Sequence, residues 1–195
     1  TTEIYTLSLH DALPIFGRYI SGISGDYLFH SVPYYSMNEE DLELEEFNKL
    51  GEQASQGCVR LAVSDAKWVY DNCPTGTNVS IYDDAENAGP LGKPDAIKIT
   101  DFTNKWDPTD SNKKCPYAKA TPIISGANDY TIKSGGEFYA LAGVTAVDTC
   151  GNDITSNIEV FGNVVTTRKG EYKVTYSVTD VLKRTSSVTI TVTVQ

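Results

Sequence analysis

Apolar and polar residues alternate most regularly near the end of the chain. In SVTITVTV (Ser187–Val194), Val188, Ile190, Val192 and Val194 fall on one side and mostly threonines on the other. EYKVTYSVTD (Glu171–Asp180) repeats the pattern with Tyr172, Val174, Tyr176 and Val178. A period of two predicts strands with one buried face. Gly135-Gly136, Gly151-Asn152-Asp153 and Lys169-Gly170 read as turns between such runs. Six or seven short strands across Thr121–Gln195 predict a small β-sandwich.

The texture from Phe16 to about Asp83 is different. DYLFHSV (Asp26–Val32) predicts a strand. NEEDLELEEFNKLG (Asn38–Gly51) predicts a helix, with Asn38 as N-cap, acidic residues in the first turn and Gly51 as the stop. SDAKWVYDNCP (Ser64–Pro74) predicts a second helix, capped by Ser64 and ended by Pro74, with Trp68, Val69 and Tyr70 as its core and rim. TNVSIYD (Thr77–Asp83) returns to strand character. From Asp84 to Ala120 the chain is rich in Pro, Gly, Asp and Asn with little periodicity, which predicts an extended linker or wrapping segment.

Thr1–Ile15 fits neither pattern. Its apolar positions drift from helical spacing into alternation, Pro14 interrupts both, and Glu3 and Asp11 do not suit a secretory signal. The segment resembles, codon by codon, the translation of a widely used short-read sequencing adapter. That resemblance sets residues 1–15 outside the fold and implies that the natural chain begins upstream of Phe16. A chain cut there is expected to lack partner strands, to expose apolar surface around Tyr27–Val32, and to have little activity on its own. It also makes His30, not His10, the histidine that matters.

Composition narrows the function classes. The 195 residues hold 26 Asp and Glu against 16 Lys and Arg, a net charge of −10. This balance disfavours nucleic acid as a partner, since phosphate binding calls for clustered cations. No stretch approaches the roughly 18 apolar residues that a membrane helix needs. Cys58, Cys73, Cys115 and Cys150 lack the paired spacing of a zinc site, and no metal or cofactor is expected. Four cysteines allow three full disulfide pairings, and spacing does not choose among them. Asp148, Asp153 and Asp180 lack calcium-loop spacing, so turn chemistry is expected of them. The acidic run Glu39–Glu46 reads as a solvated helix face.

The chemistry concentrates in SQGCVRL (Ser55–Leu61). A cysteine nucleophile needs thiolate character, a proton acceptor and donors for an oxyanion. Gly57 lets backbone approach a substrate closely, and N–H groups around Gly57 and Cys58 suit a developing oxyanion. Arg60 suits either a substrate carboxylate or a structural ion pair.

FHSVPYY (Phe29–Tyr35), FNKLGEQASQGCVRL (Phe47–Leu61), DAKWVYDNCPTGTNVSIY (Asp65–Tyr82) and AGPLGKP (Ala88–Pro94) together resemble the catalytic domain of YkuD-type L,D-transpeptidases. The resemblance covers roughly residues 17–94, and its core is S-x-G-C-[IV]-R with an upstream histidine. Chain order separates it from papain-like and NlpC/P60-type peptidases, in which the cysteine precedes the histidine. GVTAVD (Gly143–Asp148) and GEYKVTYSVTD (Gly170–Asp180) resemble bacterial Ig-like domains. The fold class implied is mainly β: a truncated mixed-β catalytic domain with short helices, then an Ig-like β-sandwich. The expected boundaries are 16–83 for the catalytic part, 84–120 for the linker and 121–195 for the sandwich.

The resemblance implies an exported cell-wall enzyme that forms 3→3 cross-links between peptidoglycan stem peptides through a cysteine thioester. It implies Cys58 as nucleophile, His30 as base, Ser55 as support of the histidine or the loop, and Gly57 as shaping the oxyanion site. Arg60, Ser31 and Gln56 are expected on the substrate side. Two departures stand out. Gln56 occupies a position usually held by histidine and cannot titrate, and 27 residues separate His30 from Cys58, a wide gap for the family. The competing expectation is a non-catalytic surface or wall-binding protein acting through its Ig-like module, whose partner the sequence does not name.

Overall fold

The computed structural model describes residues 4–7, 15–82, 86 and 92–195. His10, Asp11 and most of the AGPLGKP motif lie outside the described residues. The chain divides into two compact units, the first ending at Ala118 and the second spanning Lys119–Gln195. Both are mainly β, with few and short helices.

In the first unit, β1 (Ile4–Leu7) pairs antiparallel with β2 (Ile15–Arg18), Ile4 opposite Arg18 and Leu7 opposite Ile15. The expectation that residues 1–15 stand outside the fold is therefore corrected at Ile4–Leu7 and Ile15. Ile, Tyr and Thr favour extended backbone, and this short run finds a strand edge to extend. Next come β3 (Ser21–Ser24) and β4 (Tyr27–Ser31), an antiparallel hairpin. Strand β5 (Val59–Leu61) joins the far edge of β4 in parallel, giving the order β3-β4-β5. Strand β4 thus has a neighbour on each side, against the expectation that it lacks partners. Tyr27 at its start is 55 % exposed, but His30, Ser31 and Val32 are buried.

The predicted helix over Asn38–Gly51 contracts to one turn, α1 (Leu44–Phe47). Asn38 caps a local turn instead, its Oδ1 accepting the Glu40 N–H at 3.1 Å. Asp41 and Leu42 bond outward, to Tyr35 and Lys105, so the acidic stretch is pinned as a turn and a short bridge to Tyr34 before α1 begins. The second helix, α2 (Val63–Asn72), forms as predicted but with a different cap. The Val63 N–H donates to Asp107 Oδ2 at 2.9 Å and the Ser64 N–H to Thr109 Oγ1 at 3.1 Å. Trp68 and Tyr70 are 61 % and 50 % exposed, so the aromatic pair is surface, not core. The strand predicted over Thr77–Asp83 does not form across its described residues, where Ile81 is 72 % exposed.

The Pro/Gly/Asp-rich stretch wraps the first unit. Asn48 clamps Ile99 through both its amide oxygen and its amide nitrogen, at 2.7 and 2.8 Å. Ile99, Trp106, Asp107, Asp110, Cys115 and Tyr117 are all buried. Asp110 forms a buried ion pair with Arg18 at 2.6 Å. Among the described residues no disulfide joins any of the four cysteines, and burial pushes the Cys150 thiol up to about 12.

In the second unit, β6 (Ile123–Ser125) pairs with β8 (Thr145–Val147), while β7 (Tyr130–Ile132), β9 (Glu159–Phe161), β10 (Gly170–Thr179) and β11 (Thr185–Val194) form a sheet ordered β7-β11-β10-β9. The alternating residues converge as predicted: Val174, Tyr176, Val178, Ile190 and Val192 meet Val144, Ala146 and Ile158 in one core. The β10–β11 hairpin closes at Asp180, whose carboxylate accepts the Arg184 N–H at 2.8 Å while Lys183 takes positive φ. Asp148 and Asp153 likewise accept turn N–H groups.

Candidate active site

Strand pairing brings the chemistry together. In the parallel β4–β5 ladder His30 lies opposite Arg60, and Cys58 sits one residue before β5. Residues two apart on a strand share a face, so His30 is the diagonal neighbour of the Cys58 position. Both line one open cleft of about 1060 Å³, together with Asp26, Tyr27, Glu43, Glu46, Ser55, Gln56 and Arg60. Cys58 is half-buried, and its thiol points toward the Asp26 carbonyl at 3.8 Å.

His30 is 3 % exposed, and its Nδ1 lies 2.6 Å from the Ser31 carbonyl oxygen. A carbonyl can only accept, so Nδ1 carries the proton and Nε2 presents a lone pair. Burial, reinforced by the Arg60 charge and opposed by the Ser31 hydrogen bond, lowers the His30 pKa below its ordinary 6.5. The imidazole is therefore neutral at pH 7, the form a general base requires.

The loop before Cys58 is held by Ser55. Its hydroxyl donates to the Cys58 carbonyl at 2.5 Å and accepts the Gly57 N–H at 3.1 Å. The Gly57 N–H is thereby occupied, while the Cys58 N–H has no hydrogen-bond partner among the described residues. Gly57 has φ +138°, and a Cβ built there would lie 2.3 Å from the Tyr27 ring. Both the backbone conformation and the close approach require glycine.

Arg60 is engaged within the unit. Its Nη1 pairs with Glu46 Oε2, and the other oxygen of Glu46 holds Lys49 at 2.5 Å. The Lys49 hydrogen bond and, against the cost of burial, the contact with Arg60 keep the Glu46 pKa below the usual carboxylate range.

Residues 11–81 match the L,D-transpeptidase catalytic domain (YkuD). Residues 122–194 match the bacterial surface protein Ig-like domain. A stretch of 57 residues is 49 % identical to the protein named "Putative L,D-transpeptidase YciB" of Bacillus subtilis (strain 168), covering 29 % of this chain and 28 % of that protein. Another of 59 residues is 44 % identical to the pesticidal crystal protein Cry22Aa of Bacillus thuringiensis, covering 28 % of this chain and 8 % of that one. The chain thus spans under a third of either relative. Among solved structures, the CBM51-2 and INT domains of ZmpB from Clostridium perfringens align over 38 % of this chain and 16 % of that one, at 31 % identity and a TM-score of 0.35.

The structure places Cys58, His30, Ser55, Gln56 and Arg60 around one cleft, with Gly57 in the loop beside it. Ser31 is the exception. It is fully buried, its hydroxyl accepting the Arg18 N–H and donating to the Val32 carbonyl, both at 2.9 Å. Its carbonyl, not its hydroxyl, meets the His30 ring and fixes the tautomer. Sequence reasoning missed Glu43 and Glu46 as cleft residues. The run Glu39–Glu46 is not one solvated helix face, because only the single turn α1 forms and the two glutamates bracket its start on the cleft side. Their three-residue spacing opposite a cationic Arg60 was the signal available.

Proposed function

We propose that the chain carries the catalytic chemistry of a peptidoglycan L,D-transpeptidase, with Cys58 as nucleophile and His30 as base. The observation that carries this reading is the His30 imidazole. Its Nδ1–H is committed to the Ser31 carbonyl, and the neutral ring shares an open cleft with the half-buried Cys58 thiol. The Cys58 thiol gives its proton to Nε2, and the sulfur attacks the carbonyl of the bond between the stem diamino acid and the terminal D-Ala. The Cys58 N–H stabilises the oxyanion. Collapse expels D-Ala, protonated by His30, and leaves a thioester on Cys58. An amine of a neighbouring stem resolves it into a 3→3 cross-link.

Ser55 and Gly57 shape the loop that presents the nucleophile. Arg60, through Glu46, fixes the cleft wall and offers charge to a substrate carboxylate, and Gln56 offers a hydrogen-bonding amide at the mouth. The Ig-like domain that follows supports action at the cell wall or surface, outside the membrane.

Mass spectrometry of the chain incubated with a tetrapeptide stem is expected to record a tripeptide acyl group on Cys58 and free D-Ala. Cys58→Ala should abolish both, and D-Ala release that survives this substitution would sink the assignment. Because the His30 pKa lies below 6.5, acylation should be flat in pH around neutrality and decline only on the acid side.

A further inference from the structure

Resolution of the thioester by an amine poses a proton problem that acylation does not. At neutral pH an alkyl amine arrives as an ammonium ion with three protons on nitrogen. When the C–N bond forms and the C–S bond breaks, one proton stays on the new amide. A second reaches the departing sulfur through His30. The third needs another acceptor before attack begins, because an ammonium has no lone pair.

Few groups in the cleft can take it. Lys49 and Arg60 are cationic, Gln56 does not titrate, and both oxygens of Glu46 are held by those two cations. Two carboxylates are left, those of Asp26 and Glu43. Asp26 is exposed, whereas Glu43 is half-buried, with its backbone N–H fixed to the Pro33 carbonyl at 3.0 Å just before α1. The Glu43 carboxylate makes no hydrogen bond among the described residues, so its oxygens are open to a ligand. The charges facing it are Glu45, Glu46, Lys49 and Arg60. Burial first, then Glu46, raises its pKa above the ordinary carboxylate range, which strengthens it as a base.

We propose that Glu43 binds the incoming ammonium of the acceptor and takes the proton it must lose before attacking the thioester on Cys58. The inference rests on the transpeptidase reading and goes beyond it, assigning a second acid–base group that serves transfer to amines alone. It also gives the cleft a preference for cationic over neutral acceptors.

The test separates acylation from aminolysis and compares two nucleophiles on the 195-residue chain. Nα-acetyl-lysine presents an ammonium at pH 7, whereas hydroxylamine is largely neutral and has no third proton to shed. Glu43→Gln should slow thioester aminolysis by acetyl-lysine about tenfold or more, and aminolysis by hydroxylamine less than about twofold. Glu43→Asp, which keeps a carboxylate, should recover part of the loss. Equal slowing of both nucleophiles, no slowing of either, failure of Glu43→Gln to acylate, or the selective loss appearing in Asp26→Asn instead would each overturn the proposal. No thioester on the wild-type chain would overturn the transpeptidase reading itself, and this inference with it.

Discussion

In the Ig-like unit, Val174, Tyr176, Val178, Ile190 and Val192 come from two adjacent strands and meet in one apolar core. The unit before it buries apolar side chains of its own, Tyr34, Leu42 and Phe47 among them, and adds buried polar ties between distant segments. Arg18 reaches Asp110, Asp107 caps α2 at Val63, and Asn48 clamps Ile99. Each of these pairs joins residues more than forty positions apart. Apolar burial is non-directional and tolerant of local adjustment, whereas a buried charge pair is stable only while both partners are in place. The difference locates where each unit is vulnerable. The sandwich should lose stability in proportion to the methyl groups removed from its core, and the first unit should fail when one polar partner is lost.

The sharpest way to break that contrast is at Arg18–Asp110, whose side chains are 1 % and 4 % exposed. Asp110→Ala leaves a guanidinium buried without its counter-charge and should destabilise the first unit by about 3–5 kcal/mol. Both tryptophans, Trp68 and Trp106, lie in that unit, so fluorescence during denaturation reports it selectively. Amide exchange across β10 and β11 should be unchanged. The mirror experiment is Val192→Ala, at a fully buried core position, with a cost of about 2 kcal/mol. It should raise exchange in β10 and β11 and leave the tryptophan transition where it was. If either substitution moves both readouts together, the two units unfold as one and the contrast is lost.

Asp107 extends the comparison to pH. Its carboxyl is fully buried, and burial outweighs its hydrogen bonds to Thr109 and Val63, raising its pKa from 3.8 to about 6. Between those values the folded chain holds a proton that the unfolded chain has released. The stabilisation is complete below about pH 4 and is lost as pH rises through 6, a change of about 2–3 kcal/mol for this group. Asp107→Asn cannot ionise. Whatever it costs in absolute stability, the difference between variant and wild type should shrink by that amount from pH 4 to pH 7, as read by tryptophan fluorescence. A constant difference across the range would show that the carboxyl titrates normally.

The same contrast explains what was legible in the sequence. Strands β10 and β11 could be read because their period of two is local and the buried face is written in the alternation itself. The loop Ser55–Cys58 and its place in the cleft could be read because Ser55, Gly57 and Cys58 are neighbours in the chain, with His30 on the adjoining strand. The cap of α2 could not. Ser64 looks like its cap, yet Asp107 and Thr109 serve that end from a segment with no periodicity. Ser31, expected on the substrate side, follows His30 in the chain, so alternation turns its side chain away from the histidine face and into the fold. Glu43 was hidden in an acidic run whose outward or inward direction depends on how short α1 is.

The smallest expected effect tests a place where local pattern misleads. Thr77–Asp83 reads well enough to predict a strand, and Ile81 in a buried strand would contribute about 1.5–3 kcal/mol. The structure leaves Ile81 72 % exposed, with no strand partner among the described residues. Ile81→Ser should therefore change the tryptophan-monitored transition by less than about 0.5 kcal/mol. A loss of 2 kcal/mol or more would mean that this run has a partner and is a true element of the first unit. The run has the alternation that succeeds in β10 and β11 but, among the described residues, no neighbouring strand to pair with. A period of two marks a face that could be buried; only an adjacent strand or layer buries it.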